Sequence, residues 1–218
     1  MMFFRVVGLL LLALVAVNLW WRWKSRRQSF PCPTWLASSL ESPLMDRLMG
    51  TQATLNRIGL KPGQRVLEVG PGPGRLLIPA ARRVLPGGEV VGLDIQQGML
   101  DRLKARAMQA DVSNLTAVLG DATKSHFPPE SFDVIYLCTV SGEIPNREAA
   151  LRQCYAALKP SGLLSITEIF PDPHYQSKDT VRHLAEGAGF RLKEISGSWV
   201  FFTANFIKPE LQGDDPNV

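Results

Sequence analysis

The run Val66-Leu67-Glu68-Val69-Gly70-Pro71-Gly72-Pro73-Gly74-Arg75 places three alternate glycines directly after a short apolar segment. A backbone without side chains at that spacing lets a ligand approach the main chain closely, although a glycine-rich turn can also be purely structural. Two acids come after apolar runs further on. Asp94 ends Val90-Val91-Gly92-Leu93-Asp94, where a carboxylate can accept hydrogen bonds from both hydroxyls of a ribose. Asp121 sits in Gly120-Asp121-Ala122, where it can accept from an adenine amine or serve only as a cap or turn residue. A dinucleotide site wants G-x-G-x-x-G with its pyrophosphate at a helix N-terminus. Here the third glycine comes one residue early, at Gly74, and Arg75 fills the expected position. Glu68, an acid inside the strand, suits a cationic ligand or the ordering of the loop better than a pyrophosphate.

These residues need strands that end at one edge. From Lys61 onward the pattern alternates, with strands predicted at Arg65–Val69, Glu89–Asp94, Leu115–Leu119, Phe132–Leu137 and Leu163–Glu168. Helices are predicted from the glycine loop to about Leu85 and over Gln97–Gln109, Arg147–Leu158 and Thr180–Gly187. Phe190–Ile195 and Trp199–Phe206, joined by Ser196-Gly197-Ser198, read as a closing hairpin. Such alternation means an α/β, Rossmann-like, doubly wound sheet of seven mostly parallel strands, with one antiparallel strand from the hairpin.

The motif around Glu68–Gly74 resembles motif I of the class I S-adenosylmethionine-dependent methyltransferases, a strand with an acid followed by G-x-G-x-G. Val-Val-Gly-Leu-Asp-Ile at 90–95, Gly-Asp-Ala at 120–122, Phe-Asp-Val-Ile-Tyr at 132–136 and Ala-Leu-Lys-Pro-Ser-Gly-Leu-Leu at 157–164 extend the resemblance in the right order. The small ubiquinone/menaquinone-biosynthesis-like members are the nearest in kind. The resemblance implies S-adenosylmethionine as cofactor. Glu68, Gly70, Pro71, Gly72 and Gly74 would shape its methionine side. Asp94 would hold the ribose and Gly120, Asp121 and Ala122 the adenine, with Ile95 and Met99 also contacting the cofactor. Thr139 would contact the cofactor from the fourth strand.

Methyl transfer from a sulfonium needs a general base only when the acceptor arrives protonated. The fourth strand is followed by Cys138-Thr139-Val140-Ser141-Gly142-Glu143, not by the Asn/Asp-Pro-Pro-Tyr motif of many amino-group methyltransferases. Glu143 is the carboxylate best placed to face the methyl group, with a helix N-terminal acid as the competing reading. His174, in Asp172-Pro173-His174-Tyr175 after the fifth strand, could act as a base or be a surface-loop histidine. Cys138, at a strand end, reads as packing. Cys32, Cys138 and Cys154 lie in no CxxC, so neither a disulfide framework nor a metal site is expected.

The net charge of +4 is unevenly distributed. Residues 1–27 hold five basic residues and no acids, leaving 19 basic against 20 acidic residues in the remainder. The excess therefore belongs to the N-terminal segment, and the rest carries no footprint for nucleic acid. Val6–Trp21 is apolar except for Asn18, and its sixteen residues would span about 24 Å as a helix. With Met1–Phe4 and a snorkelling Arg5 it reaches the length of a spanning helix. Trp20, Trp21 and Trp23 would form an interfacial belt, and Arg22, Lys24, Arg26 and Arg27 place the rest of the chain in the cytoplasm. A cleaved signal peptide would want small residues where Trp-Trp-Arg-Trp-Lys stands, and an interfacial helix would want a polar face.

The expected organisation is a single-pass membrane anchor over 1–27, a linker and helical lid over 28–60, a methyltransferase domain over 61–209 and a flexible tail over 210–218. Little sequence lies between Leu44 and Pro209 beyond the core fold, so the acceptor is expected to be small or lipophilic, with an O, S or C nucleophile. A membrane-tethered, non-catalytic cofactor-binding scaffold is the alternative from another class. An NAD(P)-dependent oxidoreductase is the other, and the loop spacing opposes it.

Overall fold

The computed structural model describes residues 50–170 and 172–210, together with Arg5, Gly8, Ala16 and Cys32. The elements run in the order α1 (Thr51–Ile58), β1 (Arg65–Val69), α2 (Leu77–Arg83), β2 (Glu89–Asp94), α3 (Gln97–Gln109) and β3 (Leu115–Leu119). Then come β4 (Phe132–Cys138), a 3₁₀ turn (Ser141–Glu143), α4 (Arg147–Ala157), β5 (Leu158–Ile169), α5 (Lys178–Gly187), β6 (Arg191–Gly197) and β7 (Phe201–Ile207). All but three residues of the expected anchor over 1–27, most of the linker and lid, and residues 211–218 of the tail lie outside the described residues. Among the described residues no helix is long and apolar enough to cross a membrane.

The strands form one seven-stranded sheet in the order β3-β2-β1-β4-β5-β7-β6. The first five are parallel, and β7 runs antiparallel to both of its neighbours. The order reverses between β1 and β4, which opens a crevice at the carboxyl ends of the central strands. Successive side chains of a strand point to opposite faces, and the core divides accordingly. Leu67, Val69, Ile135, Leu137 and Ile166 pack with Leu151 of α4 and Val181 of α5. Val66, Val90, Val134 and Tyr136 pack with Leu55 of α1, Leu77 of α2 and Leu103 of α3 on the other face.

Several boundaries differ from the sequence reading, three of them at Gly, Pro or Ser turns. The helix after the glycine loop begins only at Leu77, three residues past Gly74, so no helix N-terminus abuts the glycines. The fifth strand starts at Leu158 rather than Leu163. Pro160-Ser161-Gly162 is absorbed as an irregularity, because Ser161 N–H donates to the Lys208 carbonyl at 3.0 Å and Lys208 N–H returns to Gly162 at 3.0 Å. The closing hairpin is shifted by about two residues, with Ser198 N–H donating to the Phe201 carbonyl at 3.0 Å. Gly, Pro and Ser break the local pattern and so predict a turn at each place, whereas cross-strand bonding decides where a strand ends.

Candidate functional site

Residues from the ends of β1, β2, β3 and β4 line one cleft of about 280 Å³. That is about the size of a pocket for one small ligand. The glycine loop forms one wall. Gly70, Gly72 and Gly74 all have φ in the left-handed region, at 70°, 52° and 86°. Gly70 N–H donates to the Leu93 carbonyl at 2.8 Å, tying the loop to β2. From behind, Arg106 Nη1 donates to the Pro73 carbonyl at 2.9 Å.

Asp94 organises the floor. Its Oδ2 accepts from Gly72 N–H at 3.1 Å and its Oδ1 from Gln96 N–H at 2.9 Å. Each carboxylate oxygen has a second acceptor position, so the side chain can still receive two hydroxyls. Burial raises its pKa, and the backbone bonds from Gln96 and Gly72 oppose that shift. Ile95, 61% exposed, and buried Met99 line the cleft beside it. Gly120, Asp121 and Ala122 close the far end. Asp121 Oδ1 accepts from Thr123 N–H at 2.9 Å and Thr123 Oγ1 at 2.8 Å, which fixes the turn and lowers its pKa. A Cβ at Gly120 would overlap the ring of exposed His126, which would have to shift to admit a larger residue.

Glu68 lies beneath the loop, 2% exposed. Tyr136 OH donates to its Oε2 at 2.8 Å. Burial pushes its pKa up to about 8, against the lowering effects of the Tyr136 bond and the Arg75 charge. Near neutral pH the carboxyl is mostly protonated, and a cation entering the cleft would draw it toward the ionised form. The unfolded chain would bind the same proton with an ordinary carboxyl pKa, so the folded state holds it more tightly between about 4.5 and 8. The resulting stability is full below that window and is lost as pH rises through it. The domain without ligand is expected to melt at a lower temperature at pH 9 than at pH 6, with a smaller drop in Glu68→Gln. An equal drop in the variant, measured by thermal denaturation, would remove Glu68 from the linkage.

Thr139 and Glu143 line the cleft at the end of β4. Thr139 has φ 55° and its N–H donates to the Thr167 carbonyl at 2.9 Å. Glu143 closes the 3₁₀ turn. Its Oε2 accepts from Cys32 N–H at 3.4 Å, and its pKa is pushed up to about 8 by burial first, then by Asp172, Asp94 and Glu168. The turn is well held: Arg147 donates to the Ser141 and Gly142 carbonyls at 3.1 Å each, and Ser141 Oγ donates to buried Glu168 at 2.9 Å.

The structure therefore brings together Glu68, Gly70, Pro71, Gly72, Asp94, Ile95, Met99, Gly120, Asp121, Ala122, Thr139 and Glu143. Two residues expected in the site stand outside the lining. Gly74 is turned toward Leu103 and Ile78, where it permits close helix packing. His174 is buried against the 3₁₀ turn, where a Cβ on Gly142 would overlap its carbonyl, and it is not part of the cleft lining. Burial, followed by the Arg147 charge, lowers its pKa. Cys138 lines the cleft as a protonated thiol, its pKa pushed up to about 11 by burial. No group of three or more possible metal ligands occurs among the described residues.

Arg75 and Cys32 are site residues that sequence reasoning misses. Arg75 lines the cleft, held by Thr51 Oγ1 at 2.8 Å and Cys138 Sγ at 3.6 Å. Its presence in the third-glycine position is the available signal. Cys32 also lines the cleft. Its carbonyl accepts from Gln96 Nε2 at 3.0 Å and its N–H donates to Glu143, so its backbone bridges the segments that follow β2 and β4. No local pattern marks such a contact, because it joins positions 64 and 111 residues apart.

Residues 66–162 match the family model described as a methyltransferase domain. The nocamycin O-methyltransferase of Saccharothrix syringae is 35% identical over 119 residues, covering 55% of this chain and 42% of that protein. The ubiquinone/menaquinone biosynthesis C-methyltransferase of Ectopseudomonas mendocina is 37% identical over 116 residues, covering 53% of this chain and 45% of that one. The match thus spans a little under half the length of these curated relatives. Among solved structures, a SAM-dependent methyltransferase from Aquifex aeolicus superposes with a TM-score of 0.76 at 21% identity, over 82% of this chain and 100% of its own. A phosphoethanolamine N-methyltransferase from Haemonchus contortus in complex with S-adenosyl-L-methionine has a TM-score of 0.64 at 20% identity, over 74% and 52%. At these identities the likeness is one of fold. Fold, glycine loop and the match over residues 66–162 together support an S-adenosylmethionine-dependent methyltransferase.

Proposed function

We propose that this chain is a membrane-tethered methyltransferase that transfers the methyl group of S-adenosylmethionine to a small or lipophilic acceptor through an oxygen, sulfur or carbon nucleophile. The observation that carries the reading is the convergence of Glu68, the glycine loop, Asp94 and Asp121 on a cleft whose remaining wall is Thr139 and Glu143. The residues fit the cofactor: buried Glu68 and half-buried Arg75 complement an amino-acid end that carries both charges. Asp94 has remaining acceptor positions for a ribose, and Gly120, Asp121 and Ala122 line the cleft where the base would lie. The bound cofactor supplies an activated methyl group on a sulfonium. The protein's part is to orient, to exclude water and, where the acceptor is protonated, to take its proton.

Glu143 is the group placed for that last task. With its pKa near 8, turnover of a protonated acceptor rises with pH through about 8 as the carboxylate forms. Glu143→Gln is expected to lower turnover about 100-fold and to flatten that rise, with cofactor affinity nearly intact. Full turnover in the variant would point to proximity alone and to an acceptor already ionised, such as a thiolate or an acidic phenol.

The tether and its cytoplasmic orientation rest on Val6–Trp21 and the basic residues beyond it. The near-neutral remainder supports a small-molecule or lipid acceptor over a nucleic acid. The test is to incubate membranes containing the full chain with methyl-labelled S-adenosylmethionine. Label in a lipid-extractable or small-molecule product is expected, and the chain should resist alkaline carbonate. Cofactor binding without any labelled product would favour the non-catalytic scaffold. Release by carbonate would replace the spanning helix with a peripheral attachment.

A further inference from the structure

We infer that Glu143 gives up a proton when the positively charged sulfonium of the cofactor enters the cleft, and takes one back from the acceptor as the methyl group moves. The inference rests on the reading of Glu143 as the base and states what sets its charge. Glu143 lines the cleft, and no ion pair to it occurs among the described residues. Its carboxyl accepts from Cys32 N–H at 3.4 Å, a long bond. Arg147 of α4 is close in sequence, but its guanidinium is turned to the Ser141 and Gly142 carbonyls. His174 is packed on the backbone of the same turn. The other ionisable neighbours are acids and a thiol: Asp172 in the loop beyond β5, Asp94 at the end of β2, Glu168 at the end of β5, and Cys32. Burial, and then the three acids, push the Glu143 pKa up to about 8. A buried carboxyl at the wall of a cleft, surrounded by acids and paired with no cation, holds its proton until a cation arrives.

The covalent structure of the cofactor brings its charge to this wall. Its sulfur is joined to the ribose through one methylene and to the amino-acid carbon through two. A ribose on Asp94 and an amino-acid end at Glu68, the glycine loop and Arg75 therefore leave the sulfur between them, in the same cleft as Glu143. A short hydrogen-bonded path ties the ribose anchor to the base. Asp94 Oδ1 accepts from Gln96 N–H at 2.9 Å, Gln96 Nε2 donates to the Cys32 carbonyl at 3.0 Å, and Cys32 N–H donates to Glu143. An opposite charge within roughly 4–6 Å lowers a carboxyl pKa by about 1–3. From a starting value of about 8, that takes Glu143 from mostly protonated to mostly ionised at neutral pH.

The charges then balance through the cycle. Glu143 releases one proton to solvent as one positive charge enters the cleft. In the transfer a lone pair of the acceptor forms the new bond to the methyl carbon while the carbon–sulfur bond breaks, its electron pair staying on sulfur. The acceptor's proton goes to the Glu143 carboxylate. The demethylated product is a neutral thioether, so nothing keeps the carboxyl ionised and the resting acid is restored. The rise of turnover through about 8 accordingly belongs to limiting cofactor, which reads the free chain. At saturating cofactor it moves down by roughly 1–3 pH units.

The test is titration calorimetry of the full chain in lipid nanodiscs at pH 7.5, in two buffers of different ionisation enthalpy, which counts the protons released on binding. S-adenosylmethionine and its demethylated product share the adenosine and the amino-acid end and differ in the charge on sulfur. S-adenosylmethionine is expected to release more protons than the product, by about half a proton or more, and Glu143→Gln to remove that excess. The ligands' own protons are the same for both proteins and cancel in the comparison. No excess in the wild type, the same excess in Glu143→Gln, or an excess lost only in Glu68→Gln overturns the inference and leaves the cofactor reading in place. Failure of both ligands to bind overturns both. A measurement on the wild type alone covers a variant that does not fold. It uses two adenosine derivatives without the amino-acid end, a dimethylsulfonium and the corresponding methyl thioether. Their affinity ratio, cation over thioether, is expected to rise about tenfold between pH 6 and pH 9. A ratio that does not change with pH overturns the inference.

Discussion

Gly72→Val is expected to abolish cofactor binding in a domain that still folds, whereas Gly70→Val is expected to break the loop itself. The two glycines are two residues apart and both have positive φ, yet their surroundings differ. A Cβ at Gly72 meets no heavy atom within 4 Å, so a side chain there projects into the free volume of the cleft. The backbone strain of a side chain at φ 52° costs on the order of 1–3 kcal/mol, less than the usual stability of a domain. A Cβ at Gly70 would overlap Val140, which belongs to the wall after β4. Titration calorimetry with S-adenosylmethionine and thermal denaturation separate the outcomes: no binding with a modest melting shift for Gly72→Val, and a large melting loss for Gly70→Val. Wild-type affinity in Gly72→Val would mean that the ligand does not pass over this loop.

Asp94→Ala is expected to weaken cofactor binding by roughly 2–4 kcal/mol, a factor of about 30 to 800. Two effects combine. The variant loses the acceptor for two hydroxyls, and it also releases Gly72 N–H and Gln96 N–H, which the carboxylate now holds at 3.1 and 2.9 Å. Asp94→Asn keeps one carbonyl acceptor and separates the two, since it preserves at most one backbone bond while removing the charge. Its affinity should fall between those of the wild type and the alanine variant. The demethylated cofactor should lose affinity in parallel, because the ribose is common to both, and NAD should not bind. Unchanged affinity in Asp94→Ala would end the ribose assignment.

The central part of the site is legible in the sequence because its signals are local. Arg65–Val69 and Glu89–Asp94 are short apolar strands bounded by turn residues, and the structure places both with those bounds. An acid at the end of one strand and glycines at the end of its neighbour must meet once the two pair in parallel, as Val69 and Leu93 do. The seven strands, and the single antiparallel one, come from the same alternation.

The remainder depends on contacts between distant segments. Glu143 and His174 read alike, as polar residues in loops at one sheet edge. Gly142 packs against the His174 backbone, and of the two only Glu143 is part of the cleft lining. Cys32 lies at the cleft, where Gln96 and Glu143 hold its backbone from the segments that follow two different strands. Glu68 is visible as an acid in a strand, but its protonated state comes from burial under α1 and α2 beside Tyr136, contributed 68 residues away. Residue type, spacing and strand period determine which groups arrive at the sheet edge, because those depend on local backbone geometry. Which of them face the ligand, and in what charge state, is decided by desolvation and by cross-chain hydrogen bonds, which exist only once the sheet and its loops have closed around the site.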